Sequence, residues 1–466
     1  MEQKVNFDKD LIQRYDVAGP RYTSYPTAVQ FSEDCSADDY LNWVNQSNQH
    51  PIPSPLSLYL HIPFCDTICY YCGCSKVVTK DHDKAGHYID LLKREIAMQG
   101  KLFDKDRQVI QIHWGGGTPT FLDDKQIYDI ISCLNENFNI ATGDELEAGI
   151  EVDPRTVDHE RIRNLRNLGF NRISFGVQDF DPAVQAAVNR VQAPDEIRQR
   201  IEDARKYGFE SINIDLMYGL PKQTLESFRQ TLETTIRLDP DRIAIYNYAH
   251  MPELFKPQRR IEESDLPSPD EKLNILQLAI DTLQDAGYHY IGMDHFAKQD
   301  DKLVQAQQHG TLQRNFQGYS TSAQCDIVAM GVTAISRIGD NFGQNVRSID
   351  EYEKRLDAGQ IPIFRGIELE ADDVLRGEII SELMCNNRLD IDKIERRWHI
   401  DFGSYFKPTL DNLKGMADDG LIKLGKHRIT LTGKGRLLAR AICMQFDRYL
   451  KPTQQNAKVR RFSKVI

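Results

Sequence analysis

The feature that most constrains the fold is a recurrence. A short run rich in Ile, Val, Leu and Tyr is followed by a longer segment of helical periodicity, and the pattern returns along the first half of the chain. The apolar runs are LSLYLHI (56–62), VIQIHW (109–114), LEAGIEV (146–152), RISFGV (172–177), SINIDLMYG (211–219) and RIAIYNY (242–248). Short apolar runs bounded by Gly or Pro read as buried strands. Helical periodicity fills 86–100, 124–137, 158–168, 195–207 and 225–238. Strands alternating with helices make parallel βα units, and six at these intervals predict an α/β fold: an open or partial (β/α)6 barrel. Barrel chemistry gathers at the C-terminal strand ends. The unusual residues sit there: a cysteine loop, GGGTPT, Glu151, Gln178, Asp215 and NYAH. That favours a barrel over a doubly wound sheet.

The flanks read differently. Residues 1–55 include AGPRYTSYPTAVQF, dense in Pro, Gly and Tyr, which predicts an ordered but irregular segment. After Ala249 come a Pro-rich connection and a helix over 271–286. Beyond about residue 369, three helical stretches precede GLIKLGKHRITLTGKG, a hairpin pattern, and then RLLARAICMQF, which together suggest a winged-helix-like module. The expected divisions are 1–55, 56–368 and 369–466. No apolar run approaches the roughly 20 residues that span a bilayer, and MEQKVNFDKDLIQRYD lacks the features of a signal peptide. The expectation is a soluble, cytoplasmic chain with no membrane span. A net charge of −11 excludes a general polyanion binder. Residues 371–466 are nonetheless locally basic, with 19 Lys and Arg against 12 Asp and Glu.

Four of nine cysteines crowd into CDTICYYCGC (65–74), spaced C-x3-C-x2-C-x-C. In a reducing compartment such a cluster points to metal binding or catalysis rather than disulfides. Cys35, Cys133, Cys325, Cys385 and Cys443 are scattered and read as ordinary buried or half-buried thiols. Zinc usually takes paired knuckles far apart in sequence, so four ligands within ten residues would be cramped. Iron–sulfur clusters accept close thiolate spacings, and three ligands on a cubane leave one iron open for chemistry. A structural metal loop remains the alternative. In HWGGGTPT (113–120) a glycine run lets backbone approach a ligand with no side chain in the way; alone it also fits a plain turn. Glu151 can accept ribose hydroxyls or pair with Arg155 or Arg172. Asp215, in an otherwise apolar strand, must find a partner.

C-x3-C-x2-C directly after a first barrel strand, followed one βα unit later by the glycine run, resembles the radical S-adenosylmethionine (SAM) superfamily. AGPRYTSYPTA, YLHIPFC with C..CGC, HWGGGTPT, IEVDPR, FNRISFGVQDF, NIDLMYGLPKQT, YNYAHMP, RNFQGYST, MGVTAIS and RRFSKVI narrow the resemblance, from about Ile12 to the C-terminus. Together they resemble the oxygen-independent coproporphyrinogen III oxidase (coproporphyrinogen III dehydrogenase) family. By that resemblance Cys65, Cys69 and Cys72 hold one [4Fe–4S] cluster, and Cys74 is a fourth cysteine that does not ligate iron. It also implies two SAM molecules. Tyr59, Gly116 and Glu151 match positions around the first, on the cluster. Tyr71, Gly117, Thr118, Gln178, Arg190, Asp215, Ala249 and Ile335 match positions around the second; position 71 is often Phe in the family and is Tyr here.

The implied reaction is oxidative decarboxylation of two propionates of coproporphyrinogen III to vinyl groups, giving protoporphyrinogen IX, through a SAM-derived 5′-deoxyadenosyl radical. The electron donor and acceptor go unnamed, and a monomer without nucleic-acid partner is expected. A tetracarboxylate on an apolar macrocycle calls for aromatic walls and cationic clamps, which Arg21, Tyr22, Tyr25 and Arg314 offer. Two other readings stand beside this one: a haem chaperone on the same barrel, and a cluster-sensing DNA-binding regulator. A DNA reader needs Lys and Arg clustered on one recognition helix, whereas acidic residues intersperse here (DNLKGMADDG).

Overall fold

The computed structural model describes residues 4–322 and 324–450, so RRFSKVI lies outside the described residues. The chain forms two compact units. The barrel unit comprises Phe31–Ile275 and Gln324–Glu368; the other is assembled from Met1–Gln30, Leu276–Ala323 and Leu369–Ile466.

In the barrel unit the six expected strands are β1 (Leu56–Ile62), β2 (Gln108–Gly116), β3 (Glu147–Val152), β4 (Arg172–Gln178), β5 (Ser211–Tyr218) and β6 (Arg242–Asn247). They lie side by side in the order β6-β5-β4-β3-β2-β1, all parallel. The helices α1 (Asp83–Gln99), α2 (Asp124–Asn137), α3 (His159–Asn167), α4 (Pro194–Lys206) and α5 (Leu225–Leu238) fall between them in the chain. Side-chain alternation explains which residues face where. On β4, Ile173, Phe175 and Val177 are buried, and on β5 so are Ile212, Ile214 and Leu216. The opposite face carries Ser174, Gly176 and Gln178 beside Asn213 and Asp215, in register Ser174↔Asn213 and Gly176↔Asp215. Glu151 stands opposite Ser174. The polar residues thus collect on one face because the other is filled by aliphatic packing.

The sheet continues past β1 with four strands that the sequence pattern does not reveal. These are β7 (Asp326–Met330), parallel to β1, then antiparallel β8 (Ile335–Ile338), β9 (Asn341–Asn345) and β10 (Ile363–Ile367). ISRI and NFGQN are too short and polar to register as strands.

In the other unit, AGPRYTSYPT contains no α-helix, although Lys9–Tyr15 before it is helical. The segment after 369 contains helices Ala371–Asn386, Ile391–Trp398 and Lys407–Asp418, with one extra turn at Phe402–Tyr405. The hairpin Ile422–Leu424 with Arg428–Leu431 gains a third strand, Arg388–Asp390. This unit's core is one cluster drawn from all three segments, with Leu11, Tyr22, Ile291, Val304, Leu383 and Phe446 among its members.

Candidate active site

Strand β1 runs directly into the cysteine loop. Phe64–Cys65 pairs with Val77–Val78 and closes the loop at its base. Asn189 Nδ2 donates to Ile68 O at 2.7 Å and Tyr70 N to Val188 O at 3.0 Å, which fixes the loop against the segment after β4. Tyr71 packs on a small apolar cluster of Val184, Val188, Leu220, Tyr248 and Ile261.

Cys65, Cys69 and Cys72 line one cavity of about 660 Å³, within the size range of small-molecule sites. Burial pushes the Cys65 thiol up to about 11, against the Thr118 hydroxyl 3.5 Å away. A hydrogen bond with the Cys74 thiol, helped by the Lys76 ammonium, holds the Cys72 thiol well below its ordinary value. Cys74 itself is exposed. Among the described residues, no three His, Cys, Asp or Glu side chains close on a point as ligands of a single ion do. Four thiols of one short loop on one cavity suit an iron–sulfur cluster, which accepts close thiolate spacings.

The end of β2 shapes the adjacent wall. Gly116 has φ +117°, and a Cβ there would lie 2.7 Å from the His61 ring. A Cβ on Gly117 would lie 2.7 Å from the Phe64 carbonyl. Gly117 N donates to Ile62 O and Thr118 N to Phe64 O, both at 2.8 Å. Two strand ends therefore meet at backbone contact, which only glycine permits, and bare peptide faces the cavity.

Glu151 touches His113 Nε2 and Gly116 N, both at 3.4 Å, and its side chain is 46% exposed. Its carboxylate keeps acceptor capacity toward the cavity. Neither cation considered in the sequence pairs with it: Arg155 binds Asp153 at 2.6 Å, and Arg172 binds Glu147. Asp215 accepts from Ser174 Oγ at 2.9 Å and Asn213 Nδ2 at 2.8 Å. Burial, then the Glu151 charge, push its carboxyl up to about 6. Arg190 donates to Asp153 Oδ2 at 3.0 Å and to Gly176 O.

Of the expected SAM positions, Gly116, Glu151, Tyr71, Gly117, Thr118, Gln178, Arg190 and Asp215 all line this cavity, as does Cys74. Tyr59, Ala249 and Ile335 do not. Tyr59 stands behind the wall, its hydroxyl 3.2 Å from His61 Nδ1 and its ring stacked on His113. Sequence reasoning passed over His61, Asp153 and Ser174, and took Arg155 only as a partner for Glu151. The signal for Ser174 was available, since it shares the face of Gln178. For Asp153 and Arg155 only membership of IEVDPR pointed the way.

The four expected substrate residues belong to the other unit. Tyr22 and Tyr25 are buried there, Tyr22 Oη donating to Asp447 and Tyr25 Oη accepting from Arg448 N. Arg21 pairs with Asp294. Arg314 donates to Arg21 O at 2.8 Å and lies over the Tyr319 ring, while its Nε is buried without a hydrogen-bond partner.

Comparison with known proteins agrees with this geometry. The sequence profile of the Radical SAM superfamily matches residues 59–235, and that of the HemN C-terminal domain matches 369–438. Fold and site define a radical SAM protein. The oxygen-independent coproporphyrinogen III oxidase of Pseudomonas aeruginosa is 50% identical over 466 residues, covering 100% of both chains. The protein of the same name from Escherichia coli is 48% identical over 464 residues, covering 100% of this chain and 99% of its own. A solved structure of the Escherichia coli coproporphyrinogen III oxidase, described as a radical SAM enzyme, matches with TM-score 0.91 at 47% identity, covering 96% of this chain and 100% of that one. This chain belongs to the oxygen-independent coproporphyrinogen III oxidase family.

Proposed function

We propose that this chain is an oxidoreductase that converts two propionate side chains of coproporphyrinogen III to vinyl groups without oxygen, giving protoporphyrinogen IX in haem synthesis. The observation that carries the reading is the single cavity in which the four loop thiols, the bare glycine backbone after β2, and the carboxylates Glu151 and Asp215 meet. When bound, the [4Fe–4S] cluster supplies the electron that turns SAM into a hydrogen-abstracting radical. Cys65, Cys69 and Cys72 would hold the cluster. Gly116 would offer backbone to the SAM amino group, and Glu151 would accept from its ribose hydroxyls. Tyr59 would act from behind, orienting His61 and His113.

A second SAM would lie against Tyr71, Gly117, Thr118, Gln178, Arg190 and Asp215; Ala249 and Ile335 join this site only through the family resemblance. Each propionate gives up a hydrogen atom, CO2 and one electron, so an acceptor must take that electron. Arg21 and Arg314 would bind substrate carboxylates, with Tyr22 and Tyr25 as supporting wall. We place the protein in the cytoplasm as a monomer; among the described residues no helix is long and apolar enough to cross a membrane.

The test is an anaerobic assay of reconstituted protein with SAM, dithionite and coproporphyrinogen III, read by mass spectrometry. Both 5′-deoxyadenosine and two successive losses of CO2 are expected. Deoxyadenosine without decarboxylation would point to a haem chaperone or another substrate. Neither product from a cluster-loaded chain would overturn the reading.

A further inference from the structure

Two guanidinium groups converge on one sulfur. Arg190 Nη1 lies 3.4 Å and Arg155 Nη2 3.7 Å from Cys69 Sγ. Both also donate to Asp153, Arg155 at 2.6 Å and Arg190 at 3.0 Å. Arg190 has a place in the proposed second SAM site; Arg155 has none. Its Nη2 also reaches Thr67 Oγ1 at 3.2 Å, so one side chain links the turn after β3 to the cysteine loop. Burial pushes the Asp153 carboxyl up, but Arg190 and Arg155 more than offset this and hold it below its usual value. Two cations against one carboxylate leave one positive charge beside the sulfur.

We propose that Arg155 sets the reduction potential of the cluster, acting through its N–H···S contact and its charge at Cys69. The inference rests on Cys69 being a cluster ligand. Reduction adds an electron that the cluster shares with its thiolate sulfurs. Hydrogen bonds to those sulfurs and nearby positive charge stabilise the reduced form more than the oxidised one, and so raise the potential. The effect is strengthened because Arg155 is 22% and Asp153 only 8% exposed, so water screens little of the charge. Without Arg155, Arg190 and Asp153 remain as a neutral pair and the extra charge is gone. A residue that only braced the loop would change cluster retention and leave the potential where it was.

Wild type, Arg155→Gln and Arg155→Lys are reconstituted anaerobically, assayed for iron and sulfide, and titrated potentiometrically with the reduced cluster read by electron paramagnetic resonance. Arg155→Gln is expected to hold the same iron content but to reduce at a more negative potential. At the wild-type midpoint its ratio of reduced to oxidised cluster falls about tenfold, which is about 59 mV for one electron. Arg155→Lys keeps the charge but cannot reach Asp153 and Cys69 together, so it falls between. An unchanged midpoint in Arg155→Gln overturns the proposal. If that variant fails to hold a full cluster, Arg155→Lys decides: a midpoint equal to wild type overturns the proposal, and a more negative one supports it. Wild-type protein that assembles no cluster would overturn the ligand assignment itself, and this proposal with it.

Discussion

At the scale of single residues, the cysteines make the sharpest test. Cys65, Cys69, Cys72 and Cys74 all line the cavity, and Cys74 is the exposed one of the four. Each of Cys65→Ser, Cys69→Ser and Cys72→Ser should lose the cluster's absorption and all activity, since a hydroxyl replaces a thiolate ligand. Cys74→Ser should keep the cluster, because the proposed ligand set does not use Cys74. Iron content and visible absorption check the series, and loss of the cluster in Cys74→Ser would require a different ligand set. Residue types rare at strand ends made this much legible from sequence: crowded thiols, a glycine run, lone carboxylates in apolar strands. Partner choice was not legible. Arg155 is four residues from Glu151 and two from Asp153, and only the turn at Pro154–Thr156 decides that it binds the latter.

At the scale of elements, the six parallel strands were readable because Ile, Val and Leu fill one face of each while the other carries the site. The antiparallel extension was not, and one buried carboxylate shows what holds it. Glu95 on α1 is fully buried and accepts from Tyr352 Oη, from Gly331 N at 2.7 Å and from Asn345 Nδ2 at 2.8 Å, so the helix is fastened to the β7–β9 region by one side chain. Burial pushes its carboxyl up to about 7 from an ordinary 4.5, despite those donors. Between these values the folded chain keeps a proton that the unfolded chain releases. The stability this group lends is therefore complete below 4.5 and is lost as pH rises through about 7. Its full size is on the order of 3 kcal/mol. Thermal midpoints from about pH 5 to about pH 8 should fall more steeply for wild type than for Glu95→Gln. The glutamine variant should be less stable at the acid end by about 1–3 kcal/mol, because its amide sets donors against donors. Equal slopes in the two proteins would show that Glu95 titrates at its ordinary value.

At the scale of the whole molecule, sequence patterning suggested that the segment after 369 is a module in its own right, and the HemN C-terminal domain profile covers 369–438. Contacts make it part of something larger. Tyr22 bonds Asp447 across 425 positions of sequence, and Arg440 Nε donates to Pro20 O at 2.9 Å. No local periodicity encodes such pairings, which is why this unit was illegible while the barrel was not. Leu375, Ile379, Leu383 and Phe446 share their core with Leu11, Tyr22 and Tyr25 from one segment and Ile291, Leu303, Val304 and Leu312 from another. Each large apolar side chain that loses its cover forfeits roughly 1.5–3 kcal/mol, and a domain's whole stability is about 5–15 kcal/mol. Losing the cover of Leu11, Tyr22, Tyr25, Ile291, Leu303, Val304 and Leu312 together therefore exceeds what a fragment can absorb. Residues 369–466 expressed alone should show helical circular dichroism without a cooperative thermal transition, whereas the full chain melts sharply. A cooperative melt of the isolated fragment, with dispersed amide resonances, would mean that its three-stranded sheet and helices form a sufficient core, and that the contacts to Tyr22 and Val304 add little to its stability.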